Sequence, residues 1–216
     1  MTHQHIITTT VNYVKNTLTD AEGGHDWWHI YRVWQSAKQI AKGETNDILV
    51  VELGALLHDI ADSKFNNGDE NIGPVKAKAF LETLPLAPNT IDHVVQIVAN
   101  ISFKGGKELQ KFRSIELDIV QDADRLDAIG AIGIARAFNY GGFKKRPLYN
   151  PNVPPNLHKT KAQYKHNNDP TINHFYEKLL LLKDRMNTQT GKQLAKERHQ
   201  FMEQYLAQFY KEWEGQ

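Results

Sequence analysis

His58 and Asp59 stand side by side at the end of an apolar run, Leu53-Gly54-Ala55-Leu56-Leu57-His58-Asp59-Ile60-Ala61-Asp62, with a second carboxylate three residues on. Polar groups withdrawn from water need partners, and one cation satisfies an imidazole nitrogen and carboxylate oxygens together. The stretch reads as half of a metal site. Candidates for the other half lie on both sides of it. His29 comes early in a predicted helix, with Arg32 and Val33 on its side at i+3 and i+4. Asp124 belongs to Gln121-Asp122-Ala123-Asp124-Arg125-Leu126-Asp127, a carboxylate cluster in an otherwise apolar helical pattern, where acids without a counter-charge are expensive. His29, His58, Asp59 and Asp124 offer two nitrogens and two oxygens. That set is compatible with one divalent Mn, Fe, Co, Ni, Zn or Mg ion, the imidazoles favouring the first-row metals.

The elements that must carry these residues are helical. Ile7, Val11, Val14 and Leu18 predict a first amphipathic helix, ended by Gly23-Gly24. Ile30, Val33, Trp34, Ala37 and Ala41 predict a second, stopped by Gly43, and Trp27, Trp28 and Trp34 read as core residues rather than stacking platforms. Asn46 or Asp47 caps a third helix bearing Leu49, Leu53, Leu56, Leu57 and Ile60. Gly73-Pro74 opens a fourth, and Asn89 caps a fifth with Ile91, Val94, Val95, Val98 and Ile101. From Ser114 one long pattern runs through Val120, Leu126, Ile129, Ile132 and Ala135. It fails over 139–168, where Gly141-Gly142, Pro147, Pro151 and Pro154-Pro155 interrupt the chain. Asp169-Pro170 then starts a helix through Phe175, Leu179, Leu182 and Met186. A capping box at Thr190-Gly191-Lys192-Gln193 starts a last one with Leu194, Phe201, Tyr205, Phe209 and Trp213. No strand series appears. The expectation is an all-α single domain over 1–216, with a metal core at about 25–130, a basic loop at 139–168 and C-terminal helices over 169–214.

Composition narrows the function. With no cysteine, disulfides, thiolate metal sites and cysteine nucleophiles are excluded. A formal charge of +1 over 216 residues argues against stable nucleic-acid binding. No apolar stretch approaches the roughly 20 residues of a membrane span, and the N-terminus lacks a signal h-region. A cytoplasmic protein is expected, with its oligomeric state open. Ten histidines make position, not number, the guide to function.

The ordered set H…HD…D, one member of it on each of three predicted helices, resembles the HD superfamily of metal-dependent phosphohydrolases. The surrounding words sharpen the likeness: His25-Asp26-Trp27-Trp28-His29 with Arg32-Val33, Ala55 to Asp62, and Gln121 to Gly130. Together with Thr171-Ile172-Asn173-His174-Phe175-Tyr176-Glu177-Lys178-Leu179 they resemble the stand-alone bacterial HD hydrolases of the YpgQ/YedJ type, over nearly the whole chain. The resemblance implies an all-α HD-domain bundle and hydrolysis of a nucleoside or deoxynucleoside triphosphate to monophosphate and pyrophosphate, with manganese the best activator. It also implies an acid/base or substrate role for His25, with a packed imidazole as the alternative.

A metal site of this kind lowers the pKa of water and neutralises phosphoryl charge, and a general acid or base must then stand outside the ligand shell. Asp62, one turn beyond the pair, is the leading candidate, against a role as helix cap. Glu70 is a second, or a solvated loop carboxylate. Asp127, at i+3 from Asp124, is a third, or a partner orienting a ligand histidine. Arg32, Lys64 and Arg125 can meet phosphate, though Lys64 and Arg125 serve equally in salt bridges. Segment 139–168 holds Lys144, Lys145, Arg146, Lys159, Lys161 and Lys165 without an Asp or Glu, and the aromatics Phe143, Tyr149 and Tyr164. It reads as a wall meeting polyphosphate and base, against a solvated loop. Lys104-Gly105-Gly106-Lys107 reads as a turn. Other readings are a nucleoside monophosphatase, a cyclic or alarmone nucleotide phosphodiesterase, a non-catalytic nucleotide-binding HD module, and an oxygenase using His93 as an extra ligand.

Overall fold

In the computed structural model, residues 1–19, 26–61, 71–101, 112–157 and 168–216 are described. Among them every regular element is helical, and none of the helices is long and apolar enough to cross a membrane. The helices are α1 His3–Thr17, α2 Trp27–Ala41, α3 Ile48–Leu57, α4 Ile72–Leu81, α5 Pro88–Asn100, α6 Ile115–Asp127, α7 Gly130–Phe143, α8 Thr171–Glu177 and α9 Gln189–Trp213, with a 3-10 helix at Leu179–Arg185. Contacts divide the chain into two units, Met1–Asp124 and Arg125–Gln216.

In the first unit α3 is the central element, packed against α1, α2 and α5, while α4 packs on α5. Its sequence explains this: Val50 to Leu57 is buried without a break, so α3 has no solvent face to spare. Gly54 lets neighbours close in, since a Cβ there would lie 3.1 Å from Ile97 and 3.5 Å from Val120. Each helix start has a physical cause. Asp26 Oδ1 accepts from the amide of His29 at 2.9 Å and begins α2. Asp47, one of the two expected caps, accepts from Leu49 and Val50 and begins α3, while its own amide donates to Glu116 at 2.9 Å. The start of α5 differs from expectation: Ala87 is the cap residue and Pro88 takes the first helical position. A proline prefers that position and pushes its predecessor into extended backbone.

Between Ser114 and Ala135 the structure corrects the single long helix. The pattern breaks between α6 and α7, where Ile129 is extended and Gly130 has φ +74°. Gly130 also receives the Arg198 side chain, whose Cγ would lie 3.0 Å from an added Cβ. The break shifts the phase of α7 relative to α6: Ile134 is buried, whereas Ile132 and Ala135 face solvent. Helix α7 then runs through Gly141-Gly142 to Phe143, so the irregular stretch begins later than its composition suggested. Gly141 provides close approach, since a Cβ there would meet Thr171 Oγ1 at 2.2 Å. The helix closes with Lys145 N donating to Gly142 O and Arg146 N to Gly141 O.

In the second unit α7 packs on α8 and α9, and the 3-10 helix packs on both α8 and α9. The expected helix from Asp169-Pro170 is two elements. Its first amides are satisfied by the preceding segment, Thr171 N by Pro147 O at 2.9 Å and Ile172 N by Leu148 O at 3.0 Å, rather than by an aspartate cap. The cap of α9 is Thr188, whose hydroxyl accepts from Gly191 N at 2.9 Å, two residues before the predicted box. On α9 Phe201 and Trp213 are largely exposed, while Met202 and Leu206 are buried.

Candidate metal centre

Helix α2 delivers His29 from its first turn, 2 % exposed, and the C-terminal end of α3 delivers His58, 7 % exposed. The two Nε2 atoms face each other at 3.3 Å, with ring centroids 5.3 Å apart. His58 Nδ1 lies 2.8 Å from the carbonyl of Ala55. A carbonyl only accepts, so Nδ1 carries the proton and the Nε2 of a neutral His58 presents a lone pair. Asp59 is half-buried and brings a carboxylate oxygen to the same place: the donor atoms of His29, His58 and Asp59 all lie within 4.8 Å of one another. Asp124 Oδ1, from α6, stands 3.6 Å from His29 Nε2 and 3.9 Å from His58 Nε2.

The 3.6 and 3.9 Å separations to Asp124 are too long for hydrogen bonds, and the lone pair of His58 Nε2 is aimed at His29 Nε2, an arrangement that either an N–H on His29 or a cation shared by the two rings satisfies. The donor set therefore fits a divalent ion, with nitrogens and oxygens converging and the His58 tautomer held by a backbone carbonyl. Zinc–nitrogen bonds run about 2.0–2.1 Å, so two imidazoles sharing one ion stand roughly 3 Å apart, close to the spacing here.

The other expected site residues fall in different places. His25, Asp62, Lys64 and Glu70 lie outside the described residues, as do Lys159, Lys161, Tyr164, Lys165 and the Lys104–Lys107 turn. Arg32 sits half-buried on α2, one turn beyond His29. Asp127 is 3 % exposed and forms an ion pair with Arg136 of α7. Nearby, burial pulls the Arg198 guanidinium below its usual range while the Asp127 charge opposes that pull, and Arg198 Nη1 donates to Leu126 O. Arg125 Nη1 donates to the carbonyl of Arg185 at 2.7 Å. Lys144 rests over the Phe143 ring, and Arg146 over Tyr140. Tyr149 sits in an aromatic cluster with Phe209, Tyr210 and Trp213. His93 is held by Ser114 Oγ at 2.9 Å and Glu116 at 3.4 Å.

Three features of the first unit have no clear signal in the sequence. The Ala55 carbonyl has no side-chain signature, although the i−3 spacing to His58 contains it. Glu52, a lone acid in the apolar run of α3, accepts from Trp34 Nε1 at 2.9 Å and pairs with His3 at 2.6 Å, joining α1, α2 and α3. Trp28, expected in the core, is 61 % exposed.

An HD domain family model matches residues 27–129, a stretch holding His29, His58, Asp59 and Asp124. The Bacillus subtilis protein YpgQ is 39% identical over 204 residues, covering 94% of this chain and 91% of YpgQ. The chain belongs to the HD superfamily. An HD-superfamily hydrolase from Bacillus thuringiensis superposes on it with a TM-score of 0.81 and 44% identity, both chains covered at 100%. The crystal structure of B. subtilis YpgQ in complex with ADP superposes with a TM-score of 0.79 and 37% identity, covering 98% of this chain and 97% of that one. An HD-superfamily hydrolase fold thus carries the His-His-Asp group described above, and the family match spans all three of its residues, His29, His58 and Asp59.

Proposed function

We propose that this protein is a metal-dependent phosphohydrolase that cleaves nucleoside or deoxynucleoside triphosphates to monophosphate and pyrophosphate. The observation that carries the reading is the convergence of one ring nitrogen each from His29 and His58 and an Asp59 carboxylate oxygen within 4.8 Å, with Asp124 as the fourth ligand. A divalent ion there, manganese first among Mn, Mg, Co, Ni, Fe and Zn, supplies a lowered pKa to water and neutralises charge on phosphoryl oxygens.

The chain's own groups do the rest. The Ala55 carbonyl keeps the proton of His58 on Nδ1. Asp62 takes the proton of the attacking water, whose oxygen bonds to the α-phosphorus as the bond to the bridging oxygen breaks and pyrophosphate leaves. Arg32, one turn along α2 from His29, meets the phosphate chain. The ADP complex of YpgQ supports a nucleotide as ligand, and a chain without cysteine suits work in the cytoplasm.

The test is a panel of nucleotides presented to metal-stripped protein reloaded with Mn, Mg, Co or Ni, with the phosphate product identified. Pyrophosphate supports the reading, and orthophosphate makes the protein a phosphatase. H58A, D59A and D124A should lose metal and turnover together; full activity in these variants would sink the mechanism.

A further inference from the structure

Trp28 and His29 are consecutive residues in the first turn of α2 and have opposite fates: His29 is 2 % exposed and Trp28 is 61 % exposed. Tryptophan carries a large apolar surface whose burial stabilises a fold, so an exposed one beside a buried donor is a departure that packing does not explain. Tyr31 meets the Trp28 ring at 80° with centroids 6.0 Å apart, bracing the indole while more than half of the residue stays open. The other tryptophans of α2 have structural duties. Trp34 donates to Glu52 and lies under Lys38, and Trp27 lies under Lys15.

Consecutive side chains leave a helix about 100° apart, so the indole leaves the first turn of α2 on the solvent side next to the imidazole that enters the site. Arg32 follows Trp28 at i+4 and His29 at i+3, which places a guanidinium between the two on the helix surface. The order around α2 is metal donor, cation, exposed aromatic ring. A nucleotide presents the matching order of phosphate chain, sugar and flat base.

We propose that Trp28 is the platform on which the nucleotide base stacks, and so the residue that makes the site prefer nucleotides over bare polyphosphate. The proposal rests on the triphosphate reading for the position of the phosphates. Stacking on an aromatic side chain tolerates any base, because every base has a π-face; Trp28 selects for a base rather than among bases.

The experiment compares a nucleoside triphosphate with inorganic tripolyphosphate, which has the phosphates and no base. Trp28→Ala lowers the ratio of kcat/KM for nucleotide over tripolyphosphate by about five- to a hundredfold, mainly through nucleotide KM, and Trp28→Phe restores most of it. Val75→Ala, which trims an equally exposed apolar residue of α4, leaves the ratio alone. A ratio unchanged in Trp28→Ala overturns the proposal, since general damage to the site lowers both substrates together. Calorimetry of ADP and of pyrophosphate binding to the manganese-loaded protein reads the same contact without turnover. If wild type cleaves no nucleotide, the phosphohydrolase reading fails, and the stack still stands or falls on whether Trp28→Ala weakens ADP relative to pyrophosphate.

Discussion

Nε2 of His29 faces Nε2 of His58 at 3.3 Å, and the second of these nitrogens is obliged by the Ala55 carbonyl to present a lone pair when neutral. A cation that binds this pair in the folded chain alone stabilises folding, by about 2.7 kcal/mol when supplied at a hundred times its Kd. For a chain of this length that raises Tm by roughly 5–11 °C. Melting curves of metal-stripped protein with and without manganese should show the rise in wild type and not in His58→Ala. A variant that keeps the full shift removes His58 from the site.

Asp127 is a different kind of carboxylate. Its ion pair with Arg136 is nearly closed to water on the acid's side, with 3 % of the Asp127 side chain exposed against 28 % for Arg136. Removing the acid takes an ion-pair partner from a half-buried guanidinium and a buried carboxylate from the core, so Asp127→Ala should cost about 2–3 kcal/mol, read as a lower urea midpoint at unchanged slope. Wild-type stability in this variant would mean that the pair contributes nothing to folding.

The neighbouring glycines of α7 should respond in opposite directions. An alanine at Gly141 places its methyl against Thr171, 2.2 Å from Oγ1, whereas at Gly142 it meets nothing within 4 Å. Gly141→Ala should destabilise by about 1–3 kcal/mol. Gly142→Ala should gain up to about 1 kcal/mol from helix propensity. Thermal melts of the two variants side by side check this, and equal effects would mean that Thr171 moves aside without cost.

Burial raises the Tyr210 phenol well above its usual range, helped by the Tyr176 hydroxyl 3.2 Å away and by Tyr149, and burial followed by the Glu212 charge raises Tyr205. A folded-state pKa above the unfolded value means stability that is complete below the unfolded pKa of about 10 and lost as pH rises through the folded values. Urea midpoints should therefore hold to about pH 10 and fall beyond it, with a smaller fall in Tyr210→Phe. An alkaline fall identical in both proteins would show that Tyr210 is not the group responsible.

Much of this architecture is legible because burial leaves a period in the sequence. The spacing of Ile30, Val33 and Ala37, or of Ile91, Val94 and Val98, marks the inner faces of α2 and α5 without ambiguity. The α6–α7 break is not legible. Ile129 and Ile132 continue the preceding pattern, but the helix ends at Asp127 and the next begins at the left-handed Gly130, under the side chain of Arg198, a residue remote in sequence. Within the site, His58-Asp59 stands out because polar groups at the end of an apolar run demand a partner. Trp28 departs from expectation for the complementary reason: residue type predicts burial only on average, and its actual setting depends on where the first turn of α2 faces.

The partner that holds His58 in its tautomer belongs to the main chain. Each proposed ligand is one codon change from loss, but every amino acid at position 55 brings the same carbonyl. The choice of tautomer is thereby insulated from mutational drift at the residue that makes it. Because Ala55 is fully buried within α3, what remains constrained there is a small, apolar, helix-compatible side chain.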